Sequence, residues 1–278
     1  MKSRTDFWRS LNPISIFCDL WAYRDLIWQM IKREIDQRYR GSYLGVMWSF
    51  ITPLLMLMIY TFVFSVIFKS SWENDADTPI GEFALNLFAG LAAFNMFSEV
   101  INRAPTLILI VPNYVKKVVF PLEILPLVAV GSSFVNSLIT AGLVVIGSLL
   151  IQGRISVTVF LLPLAYLPLC LLSLALSWFL ASLGVYIRDI AQGISIATQI
   201  LFFLSPVFYP VSSVPEPFRR WISINPLNLI LTEFRQTLLW GEMPDLKSWL
   251  LHLALTVILA IFGYSWFMKT KKGFATVM

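Results

Sequence analysis

Four cations just ahead of one glycine carry the clearest chemistry in this chain. Lys32, Arg33, Arg38 and Arg40 stand before Gly41 in the run Ile31-Lys32-Arg33-Glu34-Ile35-Asp36-Gln37-Arg38-Tyr39-Arg40-Gly41. Arginine grips phosphate through two parallel hydrogen bonds, and lysine acts on it as a point charge. Anionic lipid headgroups or the acidic face of a soluble partner match such a run. Catalytic chemistry is far less evident. His252 is the single histidine and lies in an apolar run, where it reads as a hydrogen-bonded buried side chain. Glu99, Glu123 and Asp189 sit near the ends of apolar runs, yet no base accompanies them. Cys18 and Cys170 are isolated and read as small apolar residues, with no disulfide or metal set. No G-x-x-x-x-G-K-[ST] loop is present, and no soluble stretch is long enough for a nucleotide-binding domain. We therefore expect no catalytic, cofactor or metal site on this chain; ATP, if it drives the protein, binds elsewhere.

The elements that position these residues belong to a membrane. Of the 278 residues, 58% are hydrophobic and 13% charged, where a soluble domain carries about 25% charged residues. Several apolar runs reach the ~20 residues needed to cross a bilayer. The fold class read from them is an all-α polytopic membrane protein with six transmembrane helices, over 44–68, 83–101, 122–151, 157–187, 190–204 and 249–268. The whole chain, 1–278, reads as one transmembrane domain. Residues 13–40 are predicted to form an amphipathic interface helix. At 100° per residue, Leu20, Tyr23, Ile27, Met30, Ile31 and Ile35 share one arc, and Asp25, Gln29, Lys32, Arg33, Asp36 and Arg40 the other. Arg24 and Glu34 fit neither arc. Glu99 and Arg103 lie four apart and can pair. Residues 104–120 are too short and interrupted to cross, and read as a surface helix with a turn. Residues 206–243 are too proline-rich for a span and too apolar for a loop, so two short re-entrant or interfacial helices are expected there.

Orientation follows from the cations. With both termini in the cytoplasm, inner segments hold fifteen Lys and Arg against six outside. The inverse topology reverses that bias, so both termini are placed inside.

Four blocks of sequence then resemble a known family. They are I-K-R-E-I-D-Q-R-Y-R-G-S-Y-L-G-V-M-W-S-F at 31–50, P-N-Y-V-K-K-V-V-F-P-L-E-I-L-P-L at 112–127, G-V-Y-I-R-D-I at 184–190, and L-S-P-V-F-Y-P with I-N-P-L-N at 204–210 and 224–228. In this order they resemble the membrane (permease) subunit of type-2 ABC exporters, in the polysaccharide, O-antigen and polyol-phosphate export branch. Leu122 departs from it, standing where that family is expected to carry a basic residue. The resemblance implies two copies of the chain side by side and two separate ATP-binding cassette subunits holding ATP and Mg. It implies a lipid-linked polysaccharide cargo crossing the bacterial cytoplasmic (inner) membrane, O antigen first, with teichoic acid or capsule as alternatives. Membrane lipids would be partners and nucleic acid would not. An intramembrane glycan transferase is the rival of another class, and a small-molecule exporter a third.

The resemblance also suggests roles. Arg24, Lys32, Arg33, Asn113, Lys116 and Lys117 would couple to the ATPase, and Arg38 and Arg40 would meet the carrier's pyrophosphate at a cytoplasmic gate. A sugar polymer crossing bare lipid would leave hydroxyls unpaired, at about 2–7 kcal/mol each, so a wet path with aromatic lining is expected. Trp48, Tyr60, Phe64, Trp178, Phe202, Phe208 and Tyr209 are the candidate channel aromatics. Pro206, Pro210, Arg219 and Arg220 would form the outer gate.

Overall fold

The computed structural model describes residues 12–68, 72, 79–116 and 120–278. All secondary structure among them is helical. Asn12 caps α1 (Pro13–Ala22): its side chain accepts the Ile14 N–H at 3.0 Å, and Pro13 fills the first turn, where a missing N–H is harmless. The chain breaks at Tyr23 (φ −98°, ψ 10°), whose N–H bonds back to the carbonyls of Leu20 and Trp21. It resumes as α2 (Arg24–Tyr39). The single helix expected over 13–40 is thus two, because that tightened last turn closes α1 early.

Gly41 (φ 83°) and Gly45 (φ 51°) make the corner after α2 in left-handed conformations that other residues resist. The next stretch, α3 (Trp48–Thr61), begins on a 3₁₀ turn, Gly45–Met47, and ends in a π-helical turn, Phe62–Ile67. Next come α4 (Ile80–Arg103), α5 (Pro112–Lys116), α6 (Leu125–Gln152), α7 (Leu162–Tyr186) and α8 (Ile190–Leu204). The chain closes with α9 (Glu216–Ile224), α10 (Pro226–Arg235), α11 (Leu246–Thr270) and α12 (Phe274–Val277). Asp245 caps α11; hydrogen bonds from Ser248 hold its carboxyl below the usual carboxylate range.

Five stretches are long and apolar enough to cross a membrane: Gly45–Ile67, Ile80–Thr106, Leu122–Gln152, Val157–Tyr186 and Leu246–Val277. Six are predicted from sequence. The difference lies at α8, whose 15 residues cover only about 22 Å at 1.5 Å per residue, against a hydrocarbon core of ~30 Å.

The central element is α4. Its most apolar window is 83% buried, whereas that of Gly45–Ile67 buries nothing fully. Small residues along α4 (Ala89, Gly90, Ala92, Ala93) let α6, α7 and α10 approach closely. One core surrounds it; a second gathers Leu107, Ile108, Leu122, Trp178, Tyr264, Phe267 and Phe274 near the C-terminus. The start of the 104–120 segment departs from expectation. Ala104, Pro105, Leu107 and Ile108 are buried rather than on the surface, since the 3₁₀ turn Ala104–Thr106 nests on α7. His252 is buried too, yet neither ring nitrogen has a hydrogen-bond partner among the described residues, contrary to the hydrogen-bonded role expected.

Candidate functional site

The cationic run divides between two places. Lys32, Arg33 and Arg40 line an open cleft of about 740 Å³ between α2 and the start of α3, together with Gln29, Asp36 and Gly45. Positions 29, 33 and 36 recur at helical spacing, so α2 presents them on one face, and Arg40 follows at its C-cap. The Lys32 ammonium lies 5.4 Å from the Trp28 ring centre, a cation–π contact that holds it beside that ring. Arg24 lies apart from the cleft, against the Trp21 ring at 5.8 Å and Asp25 at 3.9 Å. Asn113 is exposed at the start of α5. Lys117 lies outside the described residues, as does the side chain of Lys116.

Arg38 leaves that cleft and pairs with Glu99 on α4. Arg103, one turn further along α4, bonds Glu34 at 2.6 Å and stands 3.5 Å from Glu99. Glu34 also accepts the Ser132 hydroxyl of α6. Glu34 fits neither arc of the helix because it belongs to this network, which ties α2 to two long helices. Its side chains are 22–32% exposed. Each link is therefore worth more than the 0.2–1 kcal/mol of an open surface pair and less than the 3–5 kcal/mol lost when a buried pair is broken. Exchanging the charges tests it. Glu34→Arg and Arg103→Glu alone should each lower the thermal midpoint, and the double exchange should recover about 1–2 kcal/mol of coupling in a double-mutant cycle. Additive losses would show that the pair carries no energy of its own.

Behind Arg38 and Glu99 opens a polar cavity of about 270 Å³ among α3, α4 and α6. Trp48 lines it, at the opposite end of α3 from Tyr60. Tyr60, Phe64, Phe202 and Phe208 do come together. Phe64 stacks on Phe208 at 4.5 Å, Phe202 meets Phe208 at 4.8 Å, and Tyr60 meets Phe208 at 5.4 Å. Phe94 of α4 supports this cluster at 4.9 Å from Phe202. Tyr209 adjoins it and donates its hydroxyl to the Phe203 carbonyl at 3.0 Å. Trp178 is remote from these rings, buried in the second core with its N–H on the Glu123 carbonyl and its ring edge-on to Tyr264. Glu123 in turn bonds Lys271 at 2.5 Å, fastening the C-terminal turn to the start of α6.

The proline-rich segment is held by contacts that spacing alone does not reveal. Asn225 caps α10 through the Leu227 N–H, and its amide donates to Ser205 at 2.9 Å. The two halves of the last sequence block, 204–210 and 224–228, are thereby one unit. Pro206 is buried and Pro210 precedes the 3₁₀ turn Val211–Ser213. Arg219 donates to the carbonyls of Ser212 and Val214, closing the loop onto α9, while Arg220 is exposed.

The residue missed from the sequence is Arg235. It counts there among the outer cations, but it is 2% exposed. Its guanidinium donates to the carbonyls of Asn86, Pro206 and Val207 at 2.8–3.1 Å and lies 4.2 Å from the Trp72 ring centre. A cation inside the apolar run Leu229-Ile230-Leu231-Thr232-Glu233-Phe234-Arg235 was the available signal. Glu233, nearby on α10, has both carboxyl oxygens buried without a hydrogen-bond partner among the described residues.

Membrane-length helices, packed around a polar cavity and an aromatic cluster and flanked by a cationic cleft, are the make-up of a multi-pass membrane protein. The chain belongs to the ABC-2 type transporter family, whose model matches residues 25–239. It is 27% identical over 264 residues to the O-antigen export system permease protein RfbA of Myxococcus xanthus, covering 94% of this chain and 98% of the relative. A protein of the same name from Klebsiella pneumoniae is 27% identical over 256 residues, at 91% and 95% coverage. The polysialic acid transport protein KpsM of Escherichia coli is 25% identical over 237 residues, at 83% and 87% coverage.

Proposed function

We propose that this chain is the membrane subunit of an ATP-driven exporter of lipid-linked polysaccharide, O antigen first, in the bacterial inner membrane with both termini cytoplasmic. The similarity to O-antigen export permeases along nearly the whole chain carries this reading. Capsule export is the second reading, favoured by the similarity to the polysialic acid transport protein. Two copies associate. The thinly packed Gly45–Ile67 stretch and α8 expose Met58, Ile59, Phe62, Ile200 and Phe203, apolar area suited to lipid or a second copy. In the dimer α8 makes the sixth crossing, extended at its outer end by the re-entrant α9 and α10.

Two ATP-binding cassette subunits, holding ATP and Mg, dock against α5 and the exposed face of α2. Their closure reaches α4 through the Glu34–Arg103 and Arg38–Glu99 pairs. Arg40, with Arg33 and Lys32 in the same open cleft, meets the diphosphate of the lipid carrier. The Tyr60, Phe64, Phe202 and Phe208 rings cover the apolar faces of sugars at the outer end of the path, and the segment from Pro206 to Arg220 closes its mouth.

Reconstitution with its ATP-binding partner tests this. Proteoliposomes holding both should move lipid-linked glycan inward-to-outward only with ATP, and the chain alone should hydrolyse none. Hydrolysis by the purified chain, or ATP-independent movement, would sink the assignment.

A further inference from the structure

The polar cavity among α3, α4 and α6 is oddly furnished for its depth, since all three helices belong to membrane-length stretches. Left empty in hydrocarbon, an unpaired hydroxyl or amide costs about 2–7 kcal/mol. Yet Ser133 is among the residues around this cavity, is fully buried, and its hydroxyl has no hydrogen-bond partner among the described residues. It differs from Ser137, one turn on, which donates to the Ala92 carbonyl at 2.7 Å and meets the Tyr166 hydroxyl at 2.8 Å. Around Ser133 stand the half-exposed indole of Trp48, the Thr52 hydroxyl and the exposed amide of Asn95. Arg38 and Glu99 close the end nearest α2, paired with each other.

These walls select a ligand. An acyl chain would strand the hydroxyls and the amide. A phosphate would face Glu99, with Arg38 already neutralised by it. A sugar ring fits both kinds of wall: its C–H face lies on an indole, and its rim hydroxyls exchange hydrogen bonds with hydroxyl, amide and charged groups. The cavity, about 270 Å³, has room for roughly nine waters at ~30 Å³ each, most of which one ring would displace.

We propose that this cavity is a saccharide subsite that holds one sugar ring of the glycan beside the first long helix. The proposal rests on the polysaccharide-export reading and adds to it a site within one protomer, separate from the aromatic cluster and from the cationic cleft. It gives the chain a place to hold the glycan between strokes, on the far side of the α2–α4 ion pairs from the carrier's diphosphate.

The test uses the chain in lipid nanodiscs free of glycoside detergent, whose headgroups would compete. Cys18→Ser removes the exposed native thiol, and Asn95→Cys reports on the opening through its rate of labelling by a water-soluble maleimide. The probe is the strain's own surface polysaccharide, cut from its lipid by mild acid; glycerol 3-phosphate serves as the lipid-headgroup control. The glycan should slow labelling about threefold at twice its dissociation constant, as simple mass action requires, and glycerol 3-phosphate should leave the rate unchanged. Ser133→Leu, which fills the cavity, should abolish the protection. Thr52→Val, which removes a hydroxyl at constant shape, should weaken it even if the first variant folds poorly. An unchanged rate with glycan overturns the subsite, as does equal protection by glycerol 3-phosphate. Surface polysaccharide on cells carrying the unmodified chain tests the export reading separately. If it is present while the glycan gives no protection, the subsite falls and export stands.

Discussion

Arg235→Met should destabilise the protein more than any other single change considered, by about 3–5 kcal/mol, since each buried carbonyl that loses its charged donor costs about 1–3 kcal/mol. The guanidinium reaches the carbonyls of Asn86, Pro206 and Val207 together, so it joins α4, the segment after α8, and α10. Methionine fills similar volume but withdraws the donor from three buried carbonyls and leaves Trp72 without its cation. At about 2–4 °C per kcal/mol for a domain of this size, the thermal midpoint in detergent should fall by roughly 6–20 °C. Lysine keeps a charge but cannot span three carbonyls in a fixed fork, so Arg235→Lys should fall between. The segment 205–210 should also become open to protease in both variants. A midpoint within 2 °C of wild type for Arg235→Met would show that the three carbonyls find other partners.

Gly184→Ala should be nearly as damaging, although it adds one methyl group. A Cβ built at Gly184 lies 1.9 Å from the Pro105 carbonyl oxygen and 2.6 Å from its carbon. Both are backbone atoms, so no side chain can rotate away, and α7 must separate from the turn Ala104–Thr106. Overpacking of this kind costs roughly 1–3 kcal/mol, and more where relief is blocked; the upper part of that range is expected here. The strain falls where the chain leaves α4 for α5. Surface glycan should therefore drop more steeply than protein abundance, measured side by side in cells. Gly142→Ala is the control. Nothing lies within 4 Å of its Cβ, so the alanine should be neutral or stabilise α6 by up to about 1 kcal/mol. Equal effects at the two glycines would remove the close-approach argument.

On the proposed function, the ion pairs between α2 and the long helices would carry a partner subunit's movement into this packing. Charge pairs at 22–32% exposure are stable enough to hold α2 in place and weak enough to be shifted by a bound subunit.

Much of this was legible from residues alone, and the reason is local. Membrane crossing depends on uninterrupted apolar length, so the stretches Gly45–Ile67, Ile80–Thr106, Leu122–Gln152, Val157–Tyr186 and Leu246–Val277 could be placed from runs of sequence. The i, i+4 pair of Glu99 and Arg103 needed only helical spacing, and the four quoted blocks pointed to the family that residues 25–239 match. What depends on meetings between distant segments was decided by tertiary structure. Arg38 and Arg40, two residues apart, went to different sites because α4 offered Glu99 to one of them. Trp178 went to the core while Tyr60, Phe64, Phe202 and Phe208 met one another, though all are aromatics in apolar runs. Arg235 looked like a surface charge until three carbonyls from two other segments surrounded it. Apolar length and helical period are properties of neighbours along the chain; the partner of a charge, the neighbour of a ring and the shape of a cavity are set by which helix faces close on each other.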